Sequence, residues 1–561
     1  MKHVATVLGS ILLGACVGHP EATTYRGTAV PAASDAVYFV VTDRFVDGDP
    51  TNNQVDQGPT GLKTFDRPIT NADGHSANIG YLGGDFRGLL NNAAYIRDMG
   101  FGAIWLTPIV ENPDAAFSGG FDLGEAFFAD KGKTGYHGYW GVNFFETDEH
   151  LTSPGLDFAD LSAALLQQHQ LKTVLDIVCN HGSPAYTMPV DQPQFGKIYR
   201  ADGMLIADHQ NRHPSDLDPH NPLHAFFHRT PDLAELPNID ESNPLVLEYF
   251  VNAYLHWIDA GAAAFRIDTI RHMPHDYWKA FSDRIRERHP GFFMFGESFD
   301  YDAAKIAEHT YPQNGGISVL DFPGQKRITE VFSVADSDFA DLTDYLHLTD
   351  GMYENPYELM TFYDNHDMPR MNADANGFID ANHWLFTSRG IPVVYYGSET
   401  AFRAGRGEHG GNRDYYGQAR IREARDGPIY SALRRIARLR QNLPALQRGL
   451  QVNLSFAGDT ALFLRVLETP EQAQTVLVAL NKGERPIDLT PKTLISSGRW
   501  RDADSGETYR VGRDGSGPSL RVPAHGARVL VLDAPNTNTA LRARLDTLQH
   551  GVGAAARRRG N

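Results

Sequence analysis

The sequence predicts an α/β protein whose main domain is a (β/α)8 TIM barrel, with a small domain inserted after the third strand and a C-terminal antiparallel β-sandwich. Three observations predict this fold. Short β-rich apolar runs alternate with longer helix-like stretches, as in parallel βα units. One connection is unusually long and rich in Pro, His and Asp, and closely spaced alternating strands begin after about residue 447.

Eight strand candidates occur between residues 37 and 396, and helical patterns such as Asp157–His169 and Leu245–Ala260 lie between several of them. Eight βα units over this length favour a closed barrel. Periodicity alone is also consistent with a doubly wound sheet. The predicted strands are Val37–Val41, Ala103–Thr107, Thr173–Val178, Ala264–Asp268, Phe293–Glu297, Ser318–Leu320, Met360–Tyr363 and Pro392–Tyr396.

The domain boundaries follow from these patterns. The barrel is predicted over residues 33–181 and 243–447, with residues 182–242 as the inserted domain, because a structureless loop of that length would be unusual. The runs ALFLRVL, TVLVALNKG and GARVLVL predict a β-sandwich over residues 448–534. The tail, residues 535–561, has a modest helical stretch and ends in AAARRRGN, so we expect it to be loosely ordered.

Charge and the N-terminus indicate where the protein acts. The formal net charge of −18 argues against a nucleic-acid partner bound through its phosphates. Residues 1–16 are typical of a signal peptide, with an apolar run too short to span a bilayer. The run that ends at Cys16 is similar to a bacterial lipobox. We therefore expect an exported protein, either periplasmic or membrane-anchored through a lipid on Cys16, or alternatively secreted.

Charged and polar residues gather at the C-terminal ends of four predicted strands, where a parallel barrel has its active site. One buried salt bridge could explain any single group, but not several carboxylates, an arginine and several histidines converging together. The set predicts a functional site. Its members are Asp176, Asn180 and His181 after the third strand, Arg266, Asp268 and His272 after the fourth, Glu297 after the fifth, and His366 and Asp367 after the seventh.

Three carboxylates without a thiol or a serine–base pair indicate acid–base chemistry with a nucleophilic carboxylate. Glycoside hydrolysis needs this set, because one acid protonates the leaving oxygen and one carboxylate attacks or activates water. A third carboxylate can hold substrate hydroxyls and repel the charged form of the acid.

The segments LDIVCNH, GAAAFRIDTIRH, FMFGES and FYDNHD, in this order, resemble the four hallmark regions of the α-amylase family, glycoside hydrolase family 13. YHGYW precedes them and GIPVVYYGSE follows them. Each motif is short and weak alone, but the ordered set is highly specific. The resemblance covers about residues 36–533 and implies a retaining enzyme that acts on an α-glucan polysaccharide or oligosaccharide.

The resemblance also implies roles for individual residues. Asp268 would be the nucleophile, Glu297 the general acid and then the base, and Asp367 the group that binds the 2- and 3-hydroxyls of the distorted sugar. Arg266, on the same strand face as Asp268, would keep that carboxylate ionised. The remaining substrate-binding residues that it implies are His137, Tyr139, Trp140, Asp176, His181, Arg271, His272 and His366.

Two of these residues have alternative interpretations. Core packing explains Trp140 almost as well as support of the sugar-binding Tyr139. Arg271 stands where many family members carry lysine. Both side chains are cationic donors, but their geometries differ. Sugar contacts on the leaving-group side therefore stay open.

The stretch DRFVDGDPTNN is dense in oxygen ligands, as Ca²⁺ requires, although a polar loop would have the same composition. With the later LGGDF it resembles a calcium site of cyclodextrin glucanotransferases and related amylases. The implied ligands are Asp47, Asp49, Asn52, Asn53, the Gly83 carbonyl and Asp85. A second implied site would join Asn180, the His272 carbonyl and Glu235, which stands where the family usually has aspartate.

Three functions fit these observations to different degrees. An exported, monomeric α-amylase acting on starch or maltodextrins is favoured, because further domains typical of glucanotransferases have no room in the chain. A transglycosylating or cyclodextrin-degrading member with the same catalytic residues is the alternative. A non-catalytic starch-binding lipoprotein is a third possibility, but it would have no need for buried, mutually repelling acids.

Overall fold

The computed structural model describes most of the chain beyond the N-terminal segment. The predicted signal peptide and Cys16 lie outside the described residues, as do residues 554–561 of the tail. Among the described residues, no helix is both long enough and apolar enough to cross a membrane. The described ranges are residues 25–57, 61–70, 74, 76–122, 130–190, 192–334, 336–513 and 516–553.

The main domain is a barrel of eight parallel strands, as predicted. Neighbours in the sheet follow one another in chain order from β1 to β6, and β8 lies between β1 and β7. An isolated parallel bridge between Leu320 and Met360 joins β6 to β7 and closes the ring, which excludes the doubly wound alternative. The strands are β1 Val37–Val40, β2 Ala103–Leu106, β3 Lys172–Ile177, β4 Ala262–Ile267, β5 Phe293–Gly296, β6 Ser318–Val319, β7 Met360–Thr361 and β8 Ile391–Tyr395.

The barrel strands are almost continuous apolar runs because helices cover their outer faces. Several of these helices begin at side-chain caps, and Asp157 forms a capping box with Asp160. The predicted helices agree with the observed ones to within one residue at each end. Helices of the barrel and its loops span Thr42–Phe45, Phe86–Asn91, Ala93–Met99, Phe158–His169, Pro244–Asp259, His275–Arg288, Ala303–Ala307, Phe322–Ser333, Ala375–Thr387, Gly417–Ala424, Pro428–Asn442 and Pro444–Arg448.

Aromatic rings fill the barrel below its C-terminal rim. Phe39 on β1 stacks on Trp105 of β2 with ring centroids 3.8 Å apart, and Trp105 packs edge-on against Phe295 of β5 at 5.5 Å. All three side chains are buried. Packing of this density gives the site above it a rigid floor.

The long connection after β3 has little regular structure. Its strands Lys197–Tyr199 and Leu205–Asp208 join Val110–Glu111 and Asn143–Thr147, from the loop after β2, in one four-stranded sheet. The two long loops on this side of the barrel are therefore built as one unit beside the active-site face. A hairpin of Pro68–Thr70 and Ser76–Asn78 belongs to the loop after β1.

Antiparallel strands form the C-terminal domain, as the alternation predicts. Its main sheet has six strands and a second sheet has two. Leu464, Leu477 and Trp500 belong to its buried core. The main strands are Leu450–Ala457, Thr460–Glu468, Ala473–Asn481, Gly498–Asp502, Thr508–Val511 and Gly526–Leu532, and the pair is Ile487–Leu489 and Leu520–Val522.

The prediction of a loosely ordered tail is wrong for Thr539–Gly551, which form a helix. Its Leu541, Leu545 and Leu548 are fully buried in the core of the C-terminal domain. Asn538 caps the helix by accepting a hydrogen bond from the Leu541 amide at 3.0 Å. Leucines at i, i+4 and i+7 lie on one face, so this helix has an apolar side to dock.

Candidate active site

Three neighbouring strands bring the predicted carboxylates together. Parallel pairing places Arg266 of β4 between Asp176 of β3 and Phe295 of β5. The parallel hydrogen-bond pattern continues beyond the ends of the strands. The Asp268 amide donates to Ile177 O at 2.9 Å, and the Glu297 amide donates to Ile267 O at 2.8 Å. Both side chains therefore stand at the top of the barrel.

Arg266 is the centre of the cluster, and its side chain is fully buried. Its Nη1 lies 2.8 Å from Asp176 Oδ1 and 2.8 Å from Asp268 Oδ1, while its Nη2 lies 2.8 Å from Glu297 Oε2. Trp105 Nε1 also donates to Asp176 Oδ2 at 3.0 Å. One planar guanidinium thus fixes three carboxylates relative to one another.

The electrostatics of the cluster separate the roles of its acids. Burial raises the pKa of Glu297 well above its usual value; Arg266 opposes the shift, and the charges of Asp367, Asp268 and Asp176 add to it. A carboxyl group in this environment holds a proton to donate. Burial also raises the pKa of Asp176 to about 7, although Arg266 acts to lower it.

The backbone turns sharply after Asp268. Thr269 has φ 49°, in the left-handed region that a β-branched residue rarely adopts. The turn carries Ile270 against Gly296, where an added Cβ would lie 2.5 Å from the Ile270 side chain. Glycine before Glu297 therefore lets the two catalytic loops approach each other closely.

Aromatic and imidazole groups line the cleft beside the carboxylates. The Tyr139 hydroxyl donates to Asp176 Oδ2 at 2.8 Å and lies 2.8 Å from His366 Nε2. The Tyr139 and His366 rings are nearly parallel, with centroids 5.5 Å apart. His181 Nε2 lies 3.9 Å from Asp268 Oδ2. Burial lowers the pKa of both histidines, so they are neutral hydrogen-bonding groups near pH 7.

Two predicted substrate residues stand behind the cleft. The His137 ring lies nearly parallel to Tyr139 at 5.7 Å, and its Nδ1 accepts from the Tyr139 amide at 3.1 Å. Trp140 is buried with Phe117 and Phe195 in a small apolar cluster and packs edge-on against His137. The position of Trp140 therefore fits the interpretation that this side chain packs in the core.

Arg271 does not join the carboxylates. Its side chain is 46% exposed and lies 3.9 Å from Asp300 Oδ2, and its Nη1 donates to the Phe299 carbonyl. It thus links the loop after β4 to the loop after β5 at the rim. His272 also faces away from the carboxylates, with its Nδ1 3.0 Å from Asp232 Oδ2.

Several residues of the site lie outside the four motifs and escaped the sequence-based prediction. Arg413, in the loop after β8, donates from Nη2 to Asp367 Oδ1 at 2.5 Å and lies 3.0 Å from Glu408 Oε1. Trp105 contacts Asp176 from β2. Asp367 itself, which the sequence did predict, has its Oδ2 3.1 Å from His366 Nε2.

The first predicted calcium site has the donor set of an oxygen-liganded cation. Buried oxygens of Asp47, Asn52 and Asn53 have no hydrogen-bond partner. A Cβ at Gly83, whose φ is +85°, would lie 2.4 Å from Asn53 Oδ1 and 2.9 Å from Asp47 Oδ2, so the backbone can approach these oxygens only with glycine. These residues fit Ca²⁺.

Asp49 and Asp85 support this loop differently. The Asp85 carboxylate accepts from the Gly48 amide at 3.1 Å and the Asp49 amide at 2.7 Å, and caps the helix that begins at Phe86. The exposed Asp49 side chain accepts from Thr51. The Asp85 carboxylate therefore folds the loop around the three unpartnered oxygens.

The second predicted calcium site requires a correction. Asp232, rather than Glu235, lies beside Asn180 and His272: its Oδ2 is 3.1 Å from Asn180 Nδ2 and 3.0 Å from His272 Nδ1. The buried Asn180 Oδ1 has no hydrogen-bond partner. Burial raises the pKa of Glu235, whose charged neighbours are Asp130 and Lys133 rather than Asn180 and His272. Two acids three residues apart in TPDLAEL could not be told apart by spacing.

Comparison with known proteins agrees with this geometry. The family described as "Alpha amylase, catalytic domain" matches residues 39–426. The chain is 29% identical to a cyclomaltodextrin glucanotransferase of Thermoanaerobacterium thermosulfurigenes over 516 residues, covering 88% of this chain and 67% of the relative. It is also 29% identical to an α-amylase of Niallia circulans over 519 residues, covering 88% and 90%.

Solved structures give the same result. A cyclomaltodextrin glucanotransferase with a three-domain ABC distribution superposes with a TM-score of 0.71 at 29% identity, covering 89% of this chain and 99% of that one. An Anoxybacillus α-amylase superposes with a TM-score of 0.68 at 26% identity, covering 90% and 99%. Three findings agree: Arg266 holds the carboxylates together, the barrel is closed, and the comparisons match one family. The chain therefore belongs to the α-amylase family of glycosidases and glycosyl-transferring enzymes, which act on α-glucans.

Proposed function

We propose that this protein is an α-amylase that cleaves α-1,4-glucosidic bonds of starch and maltodextrins with retention of configuration. The observation that carries the proposal is the Arg266 guanidinium in contact with both Asp268 and Glu297. It supports a short separation between nucleophile and acid, and retaining enzymes need about 5–5.5 Å between these carboxyl groups.

In the first step, Asp268 Oδ attacks the anomeric carbon while Glu297 gives its proton to the leaving oxygen. Burial and the neighbouring negative charges keep that proton on Glu297 until the bond breaks. Arg266 donates to Asp268 and so orients the attacking carboxylate. The products are a shortened chain and a glycosyl ester of Asp268.

In the second step, the Glu297 carboxylate takes a proton from water, and the hydroxide attacks the same carbon and releases Asp268. Asp367 and the neutral His181 and His366 hold the hydroxyls of the sugar ring, with Tyr139 against its face. These contacts strengthen as the ring flattens, so they favour the oxocarbenium-like transition state.

Calcium is part of this proposal. Asp47, Asp49, Asn52, Asn53, the Gly83 carbonyl and Asp85 would hold one ion, and Asn180, Asp232 and the His272 carbonyl a second. A bound Ca²⁺ supplies fixed positive charge that joins loops without taking part in proton transfer. Export as a periplasmic, secreted or Cys16-anchored monomer is proposed from the N-terminal sequence alone.

A cyclodextrin-opening or transglycosylating activity is the second candidate, and two observations favour it. Several relatives are cyclomaltodextrin glucanotransferases. One solved relative of that name has three domains, so the expectation that such enzymes need further domains does not hold.

Product analysis tests the proposal. Purified protein with Ca²⁺ is given soluble starch or, separately, β-cyclodextrin, and products are separated by chromatography over time. Linear maltooligosaccharides from starch with cyclodextrin intact support the α-amylase. Cyclic products, or rapid opening of cyclodextrin, favour the second candidate. No products from either substrate would overturn both.

A further inference from the structure

The loop after β8 contacts the catalytic loop that follows the neighbouring strand β7. Its Arg413 is almost completely buried, with 8% of its side chain exposed. Burying a guanidinium is costly unless it is fully engaged, so its partners indicate what it does.

Arg413 holds two consecutive residues of the catalytic loop. Its Nε donates to the His366 carbonyl at 3.0 Å, and its Nη2 donates to Asp367 Oδ1 at 2.5 Å. Since the guanidinium is planar and rigid, these two bonds fix the backbone at His366 and the carboxylate of Asp367 together.

The support of Arg413 is itself rigid. The neighbouring Asn412 donates from Nδ2 to Asn365 O at 2.9 Å and to Met368 O at 2.5 Å. The Arg370 guanidinium donates in return to Asn412 O at 3.1 Å and 2.9 Å. The two loops are therefore tied together on both sides of the Arg413–Asp367 pair.

The charge of Arg413 also acts on its neighbours. It adds to the burial effect that lowers the pKa of His366, and so helps to keep that imidazole neutral. The negative charge of Asp367 contributes to the raised pKa of Glu297. Arg413 therefore contacts a carboxylate whose charge acts on the general acid.

We propose that Arg413 is a positioning residue for Asp367: its guanidinium fork holds the carboxylate that grips the sugar hydroxyls in the orientation that the transition state requires. This inference rests on the proposed function. Glu408, 3.0 Å from the same Nη2, shares the guanidinium from the opposite side and limits its movement.

If Arg413 positions Asp367, its loss should have a different kinetic effect from the loss of a residue that only binds substrate. An arginine that only contacted a distant sugar would change KM, whereas misplacing Asp367 lowers kcat, because the hydroxyl contacts strengthen in the transition state. Lysine keeps the charge but cannot donate to His366 O and Asp367 together in the same fixed geometry.

The test uses the full-length enzyme, with amylose and α-maltosyl fluoride as substrates and Arg413→Lys and Arg413→Ala as variants. We expect kcat to fall about 10- to 100-fold in both, the effect of losing one charge-assisted hydrogen bond, with KM within about threefold of wild type. Millimolar guanidinium should restore part of the Arg413→Ala rate by filling the vacated site. Arg403→Ala is the matched control, because Arg403 lies in the same loop and pairs with Asp414, 2.6 Å away, outside the catalytic cluster.

The results of this test distinguish failure of the proposed function from failure of this inference. An inactive wild type overturns the proposed function and this inference with it. An active wild type with kcat unchanged in both Arg413 variants, or with only KM altered, overturns this inference alone. If Arg413→Ala fails to fold, the activity of Arg413→Lys decides the test. Full activity in that variant would refute the claim that the two-pronged guanidinium geometry is required.

Discussion

Replacing Arg266 by methionine removes the cation that the buried carboxylates share and keeps most of the side-chain volume. Asp176, Asp268 and Glu297 would each lose their closest positive partner, at 2.8 Å in every case. We expect the variant to fold with reduced stability near neutral pH and to have no measurable turnover of starch.

The size of the expected loss of stability follows from the burial of these ion pairs. Removing one partner of a buried ion pair costs about 3–5 kcal/mol. With an unfolding entropy of about 2.1 cal/mol/K per residue, this lowers the Tm of a chain of this size by about 3–4 °C at pH 7. Arg389→Met is the control, because Arg389 is equally buried and pairs with Asp321 at 2.7 Å away from the catalytic cluster. It should lower the Tm and leave kcat of the folded enzyme within about twofold.

The pH dependence gives the sharper test. Burial already raises the pKa of Asp176 to about 7 and that of Glu297 well above its usual value. Without Arg266 these acids bind protons more tightly in the folded chain than in the unfolded chain, so stability falls as pH rises above the unfolded pKa of about 4. The Tm deficit of Arg266→Met relative to wild type should therefore be small at pH 5 and larger at pH 8. Thermal scans that find the same deficit at both pH values would refute this account of the cluster.

Three further predictions follow from the same structure. Asp268→Asn should lower kcat on starch by at least about 10⁴-fold with amylose affinity within about threefold, by analogy with loss of a catalytic nucleophile; unchanged turnover would contradict its role as nucleophile. Removing Ca²⁺ with a chelator should lower the Tm of wild type by more than that of Asn53→Ala, which keeps only the second proposed site, since an ion at 100 times its Kd adds about 2.7 kcal/mol to the free energy of unfolding; equal shifts in both would contradict the first calcium site. Leu545→Ala should lower the free energy of unfolding of the C-terminal domain by about 2–5 kcal/mol in urea titrations, because this leucine is fully buried, whereas exposed Arg544→Ala should change it little; a neutral Leu545→Ala would contradict docking of the final helix.

Local patterns predicted the barrel well because its strands are apolar on both faces and several of its helices begin with side-chain caps. The segments VYFV of β1 and IPVVY of β8 have almost no other stable environment than a covered parallel sheet. The final helix was predicted as a loose tail because its stability comes from docking. Isolated helices of this length are marginal, and the partner core lies elsewhere in the sequence. Its leucine spacing could have indicated a docked face.

The convergence of the carboxylates could be predicted because each follows a strand, and strand order in a barrel fixes which side chains meet. Asp232 could not be separated from Glu235, because loop conformation decides which of two nearby acids turns toward Asn180. Arg413 was missed for a related reason. It lies 46 residues beyond Asp367 in the chain, and only the folding of the loop after β8 brings the two side chains together.

The site depends on two arginines with complementary tasks. Arg266 is buried beneath the nucleophile and the acid, and it lowers the cost of keeping several negative charges in a cleft with little water. Arg413 approaches from above β7 and contacts only Asp367 of the three catalytic acids. Glu297, which must carry a proton, touches a cation through one oxygen, and its other oxygen is buried with no hydrogen-bond partner. Asp268 and Glu297 therefore share one cation and Asp367 contacts a second, so the feature that sets Glu297 apart is its buried oxygen without a hydrogen-bond partner rather than its distance from a cation.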